Sequence, residues 1–206
     1  MSDQPTSKRV WGLFAELLDY PHETPLEKLR ECRKLTGAMS ADTETRLAEF
    51  QAFAADATLG SLQEEYTLAF DMDMSHSLYV GYHLLGESYK RSALLLEFKE
   101  RYRTHGIETA GELADHLPVV LRFLAVCDDQ DLTDEIVGDA IWPMLEMIAR
   151  KDKNSDNADG DDEDRPPTVA RPYHALLTAL LGVVRASPMS NGQPLTLSSP
   201  VGWSTT

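Results

Sequence analysis

Basic residues are scarce in this chain of 206 residues. Lysine and arginine total 19 against 34 aspartates and glutamates, which gives a formal net charge of −15 at pH 7. Phosphate backbones repel such a surface, so the charge argues against a nucleic-acid partner. The same excess of carboxylates favours a basic peptide or protein as the partner.

Cysteines are also rare, and neither lies in a metal-binding pattern. Cys32 and Cys127 are the two in the sequence, with no CxxC or similar ligand spacing. This argues against a structural zinc site. Both lie among apolar residues with helical spacing, so we expect free, buried thiols in a reducing compartment.

Long apolar runs are missing as well. No stretch approaches the ~20 apolar residues needed to span a bilayer. The apolar stretch after Arg9 is interrupted by Glu16 and Asp19, so it does not form the apolar core of a signal peptide. We therefore expect a soluble, cytoplasmic protein that does not insert directly into a membrane.

Catalytic signatures are the last absence. The sequence contains no Gly-rich phosphate loop, nucleophile elbow or HExxH motif, and its six histidines are scattered. Asp115 and His116 are adjacent, and an Asp-His pair can orient an imidazole as a general base. No nucleophile accompanies them, and Asp115 also suits a helix N-cap with Pro118 in the first turn. We prefer the cap interpretation and predict no enzymatic activity, no cofactor and no bound metal.

What the sequence does contain is helical periodicity along most of its length. Apolar residues recur at intervals of three and four, and the pattern is clearest near the C-terminus, at Tyr173, Leu176, Leu177, Leu180, Leu181 and Val184. No convincing strand is present, and Ser77–Tyr82 is interpreted as an ordered loop that enters a helix. We predict an all-α fold, a single helical-bundle domain of about seven or eight helices. Pro143 is expected to kink its helix unless the helix restarts there.

The domain organisation follows from composition. Residues 1–150 are predicted to form the main helical domain, and residues 169–186 a C-terminal helix that packs on it. Between them, residues 151–168 form an acidic linker, with seven acids and one lysine from Asp152 to Asp164, and we expect it to be disordered. Residues 187–206 are rich in Ser, Pro, Gly and Thr and are predicted to be a loose tail.

Two further segments are candidates for a binding site. Tyr66 and Phe70 lie one turn apart on one helix face, where such a pair is more often core than binding site. Their helix ends in an irregular loop, so the alternative is a place at the rim of a groove. In the second segment, Ser88 is expected to cap a helix, with Arg91 in its first turn. A cation there opposes the helix dipole, so we expect Asp71 or Asp115 as its partner; an ordinary exposed arginine is the alternative.

Taken in order, these pieces resemble one family. They are Tyr-x-x-x-Phe-Asp at 66–71, Ser-Leu-Tyr at 77–79, His83, Gly-Glu-Ser-x-x-Arg at 86–91 and Glu-Leu-x-Asp-His-Leu-Pro at 112–118. Together they are similar to the nitrate reductase delta-subunit chaperones of the NarJ type, relatives of the TorD and DmsD redox-enzyme maturation proteins. The resemblance covers about residues 10–150.

The resemblance implies an all-helical assembly chaperone rather than an enzyme. Such proteins bind the N-terminal peptide, often a twin-arginine signal, of an apo molybdopterin oxidoreductase catalytic subunit, and hold that subunit competent for molybdenum cofactor insertion. Molybdenum cofactor biosynthesis proteins are further candidate partners. Carried onto this chain, the motifs predict a peptide-binding site formed by Tyr66, Phe70, Asp71, Tyr79, His83, Gly86, Arg91, Asp115, His116, Leu117 and Pro118.

Two alternatives to the chaperone stay open. The chain would co-purify with the mature enzyme if it were a permanent structural subunit of the oxidoreductase. A small hydrolase that uses Asp115 and His116 would need a nucleophile or metal that the sequence does not offer.

The predicted groove lies between the helix that ends at Phe70, the loop from Asp71 to His83 and the helix after Asp115, with His83, Asp115 and His116 at its polar rim.

Overall fold

Helices account for almost all regular structure in the computed structural model, which describes residues 4–37, 39–72, 74–156 and 171–187. Within these residues the elements are α1 (Gln4–Leu17), α2 (Leu26–Thr36), α3 (Ala41–Asp56), α4 (Leu59–Phe70), a 3₁₀ turn (Met74–His76), α5 (Val80–Leu85), α6 (Tyr89–His105), α7 (Leu117–Val126), α8 (Gln130–Ile136), a π turn (Val137–Ile141), α9 (Trp142–Asp156) and α10 (Pro172–Ala186). The all-α prediction is confirmed.

The C-terminal helix α10 lies in the middle of the packing. It contacts α3, α9, α4 and α1, and its apolar stripe is fully buried, as the periodicity predicts. Burial of each large apolar side chain contributes about 1.5–3 kcal/mol, which makes α10 a major source of stability. Helix α1 packs mainly against α7 and α2.

The helix that contains Pro143 continues from α8 through the π turn into α9 without a break. In the π turn the amide of Trp142 donates to the carbonyl of Val137, one residue farther back than in an α-helix. Pro143 follows directly, and a proline lacks an amide and crowds the carbonyl four residues earlier. The wider turn therefore accommodates Pro143 in the first turn of α9, which starts at Trp142 as the alternative of a helix restart predicts. With 130–156 counted as one helix, the described residues form nine helices, slightly more than the predicted seven or eight.

Helix α9 extends into the segment that composition assigned to the linker. It ends at Asp156, so Lys151–Asp156 is helical rather than disordered. The rest of the predicted linker, residues 157–168, and the predicted tail from residue 188 lie outside the described residues. A search of the described helices finds none with the length and apolar character needed to cross a membrane.

Candidate functional site

Two loops that lie far apart in sequence are joined at the centre of the candidate site. The amide of Val80 donates to the carbonyl of Asp115 at 2.9 Å, and the amide of Leu117 donates to the carbonyl of Leu78 at 2.7 Å. These bonds form an isolated antiparallel bridge between Tyr79 and His116. We call residues 78–80 and 115–117 the loop clip. It fixes the starts of α5 and α7 relative to each other, because each loop leads directly into one of these helices.

Behind the loop clip lies a buried ion pair. The Asp115 side chain is 0% exposed and that of Arg91 is 14% exposed, with Arg91 Nε 2.8 Å from Asp115 Oδ2. The guanidinium also lies over the rings of Tyr79 and Tyr82, at 5.7 and 5.8 Å from their centroids. The expectation that Arg91 has an acidic partner is confirmed, and the partner is Asp115.

The prediction that Asp115 caps α7 is wrong. His116 is the N-cap residue, and it makes no side-chain cap hydrogen bond. The carboxylate of Asp115 turns away from the α7 terminus because the arginine, 24 residues earlier in the chain, offers a charged and bidentate partner. Pro118 does lie in the first turn of α7, as predicted.

Gly81 allows α5 to approach this ion pair closely. A Cβ atom at residue 81 would lie 2.7 Å from Asp115 Oδ2 and 3.2 Å from Arg91 Cγ. We therefore expect Gly81→Ala to lower the free energy of unfolding by about 1–3 kcal/mol, the usual cost of overpacking. Urea unfolding measures this, with Gly60→Ala as the control, because a Cβ there meets only Thr58 Oγ1 at 3.9 Å. Equal stabilities of the two variants would contradict the close approach.

A cleft of about 170 Å³ opens in front of the loop clip, lined by Asp19, Tyr20, Tyr66, Phe70, Asp71, Leu78, Tyr79, Glu112 and His116. It lies where the sequence predicts a groove, between the end of α4, the loop that follows and the start of α7. Five of the predicted site residues line it: Tyr66, Phe70, Asp71, Tyr79 and His116.

The floor of the cleft is aromatic and belongs to the core. Tyr66 and Phe70 are 5% and 4% exposed, and their ring centroids are 5.0 Å apart in an edge-to-face arrangement. Tyr173 of α10 packs beneath both, at 5.4 and 5.6 Å. The two roles that the sequence left as alternatives are therefore combined, since one face of the pair fills the core and the other forms the cleft wall.

Carboxylates surround the cleft. Asp19 forms an ion pair with Arg122 at 3.0 Å. Glu112 accepts a hydrogen bond from the hydroxyl of Tyr79 at 3.0 Å. Burial and this hydrogen bond raise the pKa of Tyr79 to about 12, so the phenol stays protonated and keeps donating. No lysine or arginine lines the cleft or pairs with Asp71 or Glu112 in the described part of the chain.

His116 forms the inner wall of the cleft, and its buried position favours the neutral form of the ring. Its side chain is 6% exposed, and burial lowers its pKa against the opposing effect of Glu112 and Asp19. The ring packs against Tyr79 at 5.3 Å. Its Nδ1 atom is buried and has no hydrogen-bond partner among the described residues.

The other predicted site residues lie outside the cleft. Asp115 and Arg91 stabilise the loop clip from behind, so the expected place of Asp115 at the rim is wrong. His83 is also absent from the rim, because its ring is buried and its Nε2 lies 2.7 Å from the carbonyl oxygen of Ser77. Gly86 ends α5 with φ 59° and ψ −158°, a conformation that only glycine adopts readily. Leu117 and Pro118 are buried in α7.

Four lining residues were not among the predictions: Asp19, Tyr20, Leu78 and Glu112. Glu112 and Leu78 belong to the motifs that carry the resemblance, but the sequence did not mark them, among the other motif residues, as part of the binding site. Asp19 and Tyr20 follow the end of α1, about 45 residues before the rest of the site. In the sequence, a polar residue next to an aromatic one ahead of Pro21 was the sole local indication of a site there.

The chemistry that this arrangement supports is recognition. The cleft combines aromatic faces, acidic rim groups and an imidazole, and no serine or cysteine lines it. Among the described residues no group of three or more His, Cys, Asp or Glu side chains is placed to hold a metal ion.

Comparison with known proteins points to one family. Residues 36–150 match the family described as nitrate reductase delta subunit, which is more than half of the chain. A relative from Bacillus subtilis (strain 168), "Probable nitrate reductase molybdenum cofactor assembly chaperone NarJ", is 31% identical over 80% of this chain and 84% of its own.

A second relative comes from Escherichia coli (strain K12), "Probable nitrate reductase molybdenum cofactor assembly chaperone NarW". It is 26% identical over 89% of this chain and 70% of its own. The "Nitrate reductase-like protein NarX" of Mycobacterium tuberculosis is 30% identical over 59% of this chain, which corresponds to 18% of that protein. With the family match and the 31% identical relative in agreement, the chain belongs to the nitrate reductase delta subunit family.

Proposed function

We propose that this protein is an assembly chaperone that binds the N-terminal segment of an apo molybdoenzyme catalytic subunit and keeps that subunit competent for molybdenum cofactor insertion. Membership of the family carries the chaperone part, since relatives that match most of this chain bear the name of molybdenum cofactor assembly chaperones. The served enzyme is then a nitrate reductase or a related molybdenum oxidoreductase.

The cleft supports the peptide part of the proposal. Its volume of about 170 Å³ is smaller than the roughly 300–1,000 Å³ of pockets that enclose whole small ligands. It therefore accommodates one side chain of a larger partner. Tyr20, which lines the cleft, is an exposed apolar side chain, and so are Met72 and Leu113, the chain neighbours of the lining residues Asp71 and Glu112. Methionine adapts to irregular partners, so this apolar margin suits a peptide that lies across the cleft.

An amphipathic helix is the form of peptide that fits this surface. Helix-in-groove recognition uses apolar anchors at i, i+3, i+4 and i+7, each worth about 1.5–3 kcal/mol when buried. Folding the peptide subtracts about 2–5 kcal/mol, and association itself costs several more. We expect affinity in the micromolar range, about −8 kcal/mol, which lets a chaperone hold its client and release it.

Calorimetry with a synthetic peptide of about five helical turns, taken from the N-terminus of the catalytic subunit of the same organism, tests the peptide part. We expect binding at roughly micromolar concentration with a negative heat-capacity change, because apolar surface is buried. A peptide in which the apolar anchors are replaced by serine is the control and should not bind. If the full-length apo-subunit binds while no N-terminal peptide does at tens of micromolar, the peptide part is wrong and the chaperone part remains.

The rival, a permanent structural subunit, is distinguished by what co-purifies. We expect the tagged chain to capture the catalytic subunit from cells that cannot make molybdenum cofactor, and to lose it once the enzyme is mature. Stoichiometric recovery with the mature, active enzyme would instead establish a permanent subunit.

A further inference from the structure

The charged side chains that line the cleft are all acidic. Asp19, Asp71 and Glu112 line it, and only Asp19 has a cationic partner, Arg122, among the described residues. Asp71 and Glu112 are both exposed, and both line the cleft. Two uncompensated carboxylates around a small aromatic pocket form a region of negative potential that attracts a cation.

The aromatic rings add a second feature that favours a cation. Tyr20, Tyr66, Phe70 and Tyr79 line the same cleft, and Tyr20 meets Tyr66 edge to face at 5.4 Å. A guanidinium or ammonium group is attracted to the face of such rings, and its aliphatic stem packs against them. Arg91 shows the same chemistry on the other side of Tyr79, where its guanidinium lies over two tyrosine rings.

We propose that the cleft receives one basic side chain, arginine or lysine, from the bound peptide, with its stem on the aromatic floor and its charge between Asp71 and Glu112. This inference rests on the proposed function and specifies the chemistry of its central contact. The cleft is sized for one side chain, and the hydrogen bond from Tyr79 holds the Glu112 carboxylate in place before the partner arrives. The peptide is thus anchored by one cation in the cleft and by apolar residues on the surrounding margin.

A peptide series identifies the anchor. In the N-terminal peptide described above, each arginine is replaced in turn by citrulline and each lysine by norleucine, which remove the charge and keep the length. We expect one replacement to weaken binding about tenfold and the others to have little effect, and the residue type at that position tells arginine from lysine. The loss should shrink between 0.1 M and 1 M salt, because the Debye length falls from about 10 Å to about 3 Å.

Variants of this protein complete the test. Asp71→Asn and Glu112→Gln should each weaken binding of the unmodified peptide about fivefold to tenfold, and neither should affect the peptide whose anchor is already neutral. Glu64→Gln is the matched control: it removes one exposed carboxylate from the same helix as Tyr66, away from the cleft. It should leave both affinities unchanged. All three positions are exposed, so thermal unfolding should be the same as in the parent protein.

The outcomes separate the two proposals. An unmodified peptide that binds, together with equal affinity for every neutralised peptide, overturns the cation pocket and leaves the proposed function standing. Equal losses in Glu64→Gln and Glu112→Gln also overturn it, since they would show that net charge rather than the cleft attracts the peptide. An unmodified peptide that does not bind at all overturns the peptide part of the proposed function and the pocket with it.

Discussion

Asp115→Ala should lower the free energy of unfolding by about 3–5 kcal/mol, because it leaves the guanidinium of Arg91 largely buried without its carboxylate. Domains of this size have total stabilities of about 5–15 kcal/mol, so a loss of this size is severe. Urea or thermal unfolding followed by circular dichroism measures it. The expected loss exceeds that of an N-cap, which is worth about 0.5–2 kcal/mol, so the size of the effect distinguishes the ion pair from the cap.

Two further variants make this result interpretable. Asp115→Asn keeps an acceptor for Arg91 and should lose less stability than the alanine variant. Asp128→Ala removes a fully exposed aspartate that pairs with Lys8, and the stability should then be unchanged. An Asp115→Ala protein as stable as Asp128→Ala would show that the buried pair contributes nothing to the loop clip.

Phe70→Ala should also lower the free energy of unfolding by about 3–5 kcal/mol, the usual cost of removing a buried phenylalanine. The ring is 4% exposed and packs between Tyr66 and Tyr173. This matters for binding experiments, because loss of affinity in Phe70→Ala would mix a damaged cleft with a partly unfolded protein. Truncation of this side chain therefore does not probe the groove alone.

Phe70→Leu is the variant that keeps the fold. It retains most of the apolar volume and should cost about 1–2 kcal/mol while still changing the shape of the cleft wall. Phe53→Ala serves as the comparison, because Phe53 is a partly buried phenylalanine of α3 outside the cleft. If Phe53→Ala destabilises the protein as much as Phe70→Ala, the aromatic cluster beneath the cleft has no special weight in the core.

The helices were predictable because their signals are local. The stripe of α10 repeats every three or four residues and is buried as expected. The π turn at Val137–Ile141 was not predictable in the same way, since one extra residue in a turn barely disturbs an apolar pattern. The first turns of the predicted linker are helical for a related reason. Composition shows only that Lys151–Asp156 is polar. Because this segment extends a helix that has already formed, it does not have to nucleate a new helix.

The position of the cleft was predictable from the motifs, and its lining residues only in part. The motifs mark the end of α4 and the start of α7, and a cleft opens at these elements. Its role in binding is the proposal made above. The role of Asp115 was misjudged, since the sequence around it satisfies the rules for a cap while its partner Arg91 comes from another helix. Asp19 and Tyr20 were missed because α1 reaches the cleft through its packing on α7, a tertiary contact that no spacing in the sequence records.

The place of Tyr173 beneath the cleft has a consequence for how the protein matures on the ribosome. Tyr66 and Phe70 are synthesised about 100 residues before Tyr173, which supports both rings from α10. Until α10 has left the exit tunnel and docked against α3, Tyr66 and Phe70 lack their packing contact with Tyr173. The nascent chain therefore acquires the proposed peptide-binding surface late in translation, after all of the residues that line the cleft have already emerged.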